Sequence, residues 1–291
     1  MSGSDILGFF SHGFIQRALI AGSFIAILCS TLGVFLVLRR LSLIGDGLAH
    51  VTFGSVAIGL LFRVYPIYVA APLVMLSSLG IMKLTEKARV YGDAAIAIVS
   101  SLGISGGILL ASVAGGFNID LFSYLFGNIL AIGSAEVVSS IVLSVILIVT
   151  IAAFYHDMLS VTLDEESARA AGVKVRAMNM ILVLTTALTV VLAMRVVGIM
   201  LISALLVLPA VTALQMARGF RTAMVLAGLI GVASVVFGIF ISFLADIPTG
   251  ATIVLLNFAI FLAAFIWKNV KFSKAYKLLV LTMAVADIIF S

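Results

Sequence analysis

The chain has 291 residues, 64% of them hydrophobic and 10% charged, with a formal net charge of +5 and a mean hydropathy of +1.34. Soluble domains are about 45–50% apolar and about 25% charged, so this composition excludes a soluble enzyme or binding module and indicates an integral membrane protein. Its 17 basic residues fall in short clusters between apolar runs, the distribution of topology signals and not of a nucleic-acid-binding face.

Apolar runs near the spanning length of about 20 residues predict crossings at 14–38, 42–62, 66–84, 93–113, 134–154, 179–195, 198–216, 222–244 and 250–267. The first follows Asp5 and His12, without a cationic leader or cleavage site, and reads as a retained helix. Cys29 within it is the single cysteine and reads as a small core residue. A shorter apolar piece, 119–132, reads as a re-entrant hairpin or short helix, which points to a translocation path because such backbone needs protein or water cover. Glycines in "SLGISGG" (101–107) and "GLIG" (228–231) suit close helix packing.

Lys and Arg set the orientation. Arg39 and Arg40; Lys83, Lys87 and Arg89; Arg169, Lys174 and Arg176; Arg218 and Arg221; and Lys268 to Lys277 mark five cytoplasmic segments. Nine crossings then put the N-terminus outside and the C-terminus inside. Arg63 and Arg195 fall at outer ends and read as snorkelling anchors. The tail, 269–291, reads as an interfacial helix with its lysines at the anionic membrane surface.

Within the second crossing, Asp46 and His50 are four residues apart and share one helix face. An Asp at mid-helix costs about 2.5–3.5 kcal/mol even on the lenient insertion scale. A neutral imidazole with a carboxylate suits a divalent transition metal such as zinc or manganese, with further ligands from another helix, a second copy or water. A structural Asp–His hydrogen bond and a proton relay are the other readings of the pair. His12 and His156 read as surface residues, and no His-Glu-x-x-His or Gly-x-Ser-x-Gly motif supports a protease.

The long polar break, 155–178, is cytoplasmic by charge and predicts a short helix. Asp164, Glu165 and Glu166 occupy its first turn, and Gly172 suits a left-handed cap at its end. It is either a solvated loop helix or a docking element. No Gly-Lys pair occurs, so the phosphate-binding loop is missing and any ATP chemistry belongs to a partner.

Three stretches, "FLVLRRLSLIGDGLAHVTFGSVAIGLL", "DLFSYLFGNILAI" and "TALTVVLAMRVVGIMLISALLVLPAVTALQMAR", closely resemble the permease family of bacterial ABC transporters for zinc and manganese. "ESARAAG" resembles the family's coupling motif through Glu166, Ala168 and Gly172, with Ser167 where alanine is usual. The resemblance implies an all-α polytopic fold like that of the vitamin B12 and siderophore importer permeases. It implies one permease domain over 1–291, with a coupling segment at 155–178 that sits in a groove of the ATPase. It further implies a bacterial cytoplasmic-membrane location, a permease homodimer, cytoplasmic ATPases and an external metal-binding protein. The chain itself would be no enzyme and would hold no permanent cofactor, Zn2+ or Mn2+ being cargo. Asp46 and His50 match the family's metal-contacting positions, and "GDGLAH" with "YLFGNILAI" and "LLVLPA" favours the zinc branch. The alternatives are an iron-chelate or cobalamin permease, a proton-coupled secondary carrier and a structural scaffold. Counted from Arg39 and Arg40, Asp46 and His50 fall in the inner half of the bilayer, and Gly45 and Gly47 are expected to give the metal close access.

Overall fold

Helices α1 (Gly13–Leu38), α2 (Ile44–Leu61), α3 (Pro66–Lys87), α4 (Gly92–Val113), α5 (Ser134–Ala153), α6 (Tyr155–Leu163), α7 (Glu165–Ala170), α8 (Val175–Ala193), α9 (Ile202–Met216) and α10 (Phe220–Ala245) follow one another. Thr249–Lys268 forms α11. This computed structural model describes residues 13–88, 90–113, 133–194, 198–199 and 202–268, among which no strand occurs. The expected re-entrant piece at 119–132, the tail 269–291, His12 and Arg195 lie outside the described residues.

Eight of the helices are long and apolar enough to cross a membrane. With the 15-residue α9, they account for the nine expected crossings. Two expectations need correction. Helix α8 starts at Val175, not at 179, because a first turn that buries Val175 and Met178 and exposes Arg176 continues the helix past the apolar run. The segment after α5 carries two helices, not one. In α6, Met158 and Val161 are buried three residues apart, a one-turn apolar stripe too short to stand out as a period.

The helix ends sort into two layers. At one, Arg17 Nη1 donates to Ser134 Oγ at 3.2 Å and the Tyr65 hydroxyl to Glu136 Oε1 at 2.5 Å, joining α1, the α2–α3 turn and α5. At the other, Arg39 pairs with Glu165, Arg176 with Glu86, and the Phe35 and Phe220 rings meet edge-on at 4.9 Å. The cationic clusters at 39–40, 169–176 and 218–221 therefore gather at one end, as the positive-inside bias expects.

Helices α1 and α2 end in residues with left-handed backbone, Arg40 (φ 57°) and Arg63 (φ 54°). In each, the next amide reaches back over the last turn, Leu41 N–H to Leu36 O at 2.8 Å and Val64 N–H to Gly59 O at 2.9 Å. Arg63 is thus the residue that closes α2, and its side chain is exposed at the outer end. Helices α1, α2 and α8 are the most enclosed crossings, and α2 carries Asp46 and His50 on its one uncovered face.

Candidate functional site

The first turns of α2 are covered on nearly every side. Ile44, Leu48 and Ala49 are buried, Gly45 rests against Leu206 and Ser203 of α9, and Gly47 against Ile96 of α4. One strip between α9 and α4 remains open, and it carries Asp46 and His50. The Asp46 side chain is 54% exposed and that of His50 21%. Gly45 and Gly47 consequently serve helix packing and not metal access, which corrects the sequence expectation: a Cβ at either would strike Leu206 or Ile96 at 2.6 Å.

His50 Nε2 and Asp46 Oδ2 are 3.5 Å apart. That is too long for a sound hydrogen bond, so the pair does not satisfy itself as a purely structural Asp–His bond would. Two ligands each about 2.1 Å from a tetrahedral zinc lie about 3.4 Å apart, close to the separation found. The Nδ1 atom of His50 is buried without a hydrogen-bond partner. Among the described residues no third His, Cys, Asp or Glu joins the two.

Their depth agrees with the sequence count. Ile44, the first residue of α2, shares one cavity with Arg39, Glu86 and Glu165 at the cytoplasmic end of the bundle, so Asp46 and His50 lie within about two turns of that end. A Cβ at Gly33 would overlap the Leu206 carbonyl oxygen, and one at Gly45 would strike the Leu206 side chain, which packs α1, α2 and α9 tightly around the pair.

The segment expected to couple to an ATPase forms around Asp164. Its Oδ1 accepts the Glu166 and Ser167 N–H groups at 3.0 and 3.2 Å, and its Oδ2 accepts the Ser167 hydroxyl at 2.5 Å. The Ser167 hydroxyl bond, with the backbone N–H bonds, holds the Asp164 carboxyl below the usual carboxylate range. A pKa lowered on folding makes the cap effective above the ordinary carboxylate value and lost only as pH falls through the lower folded value. Helix α7 ends at Gly172, φ 87°, with the Val173 N–H bonded to Ala168 O at 3.0 Å. Ala168 is buried and anchors α7, whereas Glu166, Ser167 and Arg169 are exposed.

Glu165 is half-buried between two arginines. It lies 3.0 Å from Arg169 one turn on and 3.6 Å from Arg39 at the end of α1, and burial pushes the Arg39 guanidinium pKa down. With Glu86 and Arg176 these groups line a cavity of about 520 Å³ at the cytoplasmic ends of α1, α3 and α8. Sequence reasoning takes Arg39 as a topology signal or a residue lining the path, and no local spacing encodes its partnership with Glu165. Asp164→Ala is expected to fray α7, while Asp164→Asn, which keeps an accepting oxygen, retains most of the cap. Amide hydrogen exchange over 165–171 is the measurement.

Residues 11–268 match the family described as the ABC 3 transport family. The chain is similar to the manganese transport system membrane protein MntC of Listeria innocua, 34% identical over 89% of this chain and 92% of that one. It is also similar to the high-affinity zinc uptake system membrane protein ZnuB of Haemophilus influenzae, 29% identical over 84% of this chain and 94% of that one. Among solved structures it is similar to PsaBC from Streptococcus pneumoniae in complex with Fab, with a TM-score of 0.79, 30% identity, and coverage of 91% of this chain and 95% of that one.

Proposed function

The chain belongs to the ABC 3 transport family, and from that premise we propose that it is the membrane-spanning permease subunit of an ATP-driven importer of a divalent transition metal. ATP hydrolysis resides in a separate subunit, and the permease is a multi-pass protein of the bacterial cytoplasmic membrane. The observation that carries the metal reading is the Asp46–His50 pair, open on one strip of an otherwise covered helix at a separation that a single ion can bridge.

A carboxylate left against lipid is costly, so the strip faces a path. A second copy of the chain covering it would supply the missing ligands and enclose that path, with an external metal-binding protein delivering the ion. The exposed face of α7, bearing Glu166 and Ser167, docks the ATPase. Closure of the ATPases moves α7, and α7 moves α1 through Arg39 and Glu165. The pair grips the ion in one state and lets it go in the other, as alternating access requires.

Two readings of the cargo have separate support. The "GDGLAH" form at 45–50 favours zinc, and the 34% identical relative named for manganese favours manganese. Competitive uptake of the two ions by the assembled transporter in proteoliposomes decides between them. An iron-chelate or cobalamin permease would instead transport normally after His50→Ala. Uptake driven by a pH gradient through this chain alone, with no ATPase present, would make it a secondary carrier and overturn the proposal.

A further inference from the structure

Where α1, α5 and α10 converge at the cytoplasmic end, a cleft of about 310 Å³ opens beside α6. Its floor is apolar, formed by Ile148, Ile151 and Met224. Thr31 adds only its methyl group, because its hydroxyl already donates to the Ile27 and Leu28 carbonyls. Val149 and Val225 beside the cleft are 59% and 62% exposed, so it opens on the lipid-facing side of the bundle.

The mouth is cationic. Arg221, the second residue of α10, lies 5.7 Å from the centroid of the Tyr155 ring, which meets His156 edge-on and tilts against Phe220. Unlike Arg39, Arg169 and Arg176, each held by a glutamate, Arg221 has no carboxylate partner among the described residues. Stacking on a ring fixes a guanidinium while leaving its N–H donors for an anion. Asp157, one residue past His156, does not line the cleft. At this level of the bundle the anionic groups on offer are phospholipid headgroups, which basic pockets between spanning helices recognise.

We propose that this cleft binds an anionic phospholipid, its phosphate on Arg221 and part of an acyl chain against Ile148, Ile151 and Met224. The inference holds for zinc, manganese or any other cargo.

The test uses the complete transporter, permease with its ATPase, extracted from bilayers of phosphatidylcholine containing phosphatidylglycerol, with retained lipid measured by mass spectrometry. Phosphatidylglycerol should be retained over phosphatidylcholine. Arg221→Gln should lower that retention about fivefold, the effect of one cation near an anionic surface, and Arg221→Lys should keep most of it. Met224→Trp, which fills the cleft without changing charge, should also expel the lipid and serves if Arg221→Gln does not assemble. Equal retention of the two lipids, or unchanged retention in Arg221→Gln and Met224→Trp, would overturn the proposal. So would displacement of the lipid by inorganic phosphate, which would mark a free-anion site. A change in oligomeric state with lipid retention unaltered would likewise overturn it, by making this face a protein interface.

Discussion

His50→Ala is expected to lower metal uptake by about 100-fold or more, the upper end of what disturbing the surroundings of a metal ligand costs. Among the described residues no third His, Cys, Asp or Glu joins Asp46 and His50, so the loss of His50 leaves each copy of the chain a single carboxylate to offer the ion. Asp46→Ala should be as severe. Residues that act as one unit are non-additive, so the double variant should be no worse than either single one. Initial rates of uptake by the assembled transporter give the comparison, with co-purification of the ATPase confirming that the variants fold. Uptake near the wild-type rate in either single variant would remove the pair from the transport path.

Gly103→Leu is expected to have the largest effect on stability. Helices α2 and α4 make the most extensive pair in the bundle, and at Gly103 a Cβ would lie 2.7 Å from the Val51 backbone N and Cα and 2.9 Å from the His50 carbonyl carbon. These are backbone atoms, so no rotamer change relieves the overlap and the helices must separate. Overpacking of this kind costs about 1–3 kcal/mol, and leucine should exceed what alanine costs. Because the contact lies directly behind His50, Gly103→Ala should also impair uptake through displacement of the ligand. Gly106, one turn further along α4, has open space where its Cβ would stand, and Gly106→Ala should leave stability within about 0.5 kcal/mol. Thermal unfolding of the purified proteins in detergent provides both values. Equal midpoints for the Gly103 and Gly106 variants would contradict the close crossing.

The crossings were legible because lipid imposes one length and one polarity on every span, and eight of nine appear as full-length helices. What stayed hidden depends on partners distant in sequence. The start of α8 lies in a charged turn that hydropathy does not register, and α6 buries only two residues one turn apart. At the candidate site, the shared face of Asp46 and His50 follows from their spacing alone. That this face is the open one is set by Leu206 and Ile96, which cover its neighbours from helices far along the chain. In the segment 164–172 the Gly172 cap was legible, whereas Asp164, expected within the first turn, stands just before the helix as its N-cap, because its carboxylate turns back onto the Glu166 and Ser167 N–H groups.

Glu165 divides one carboxylate between Arg169 on its own helix and Arg39 on α1. Arg169 travels with Glu165 when α7 is displaced, but Arg39 does not. Its side chain is only 14% exposed, so outward movement of α7 withdraws the nearest counter-charge from a partly shielded cation, which is unfavourable. The Arg39–Glu165 contact therefore resists separation of α7 from α1, whereas the Arg169 contact does not.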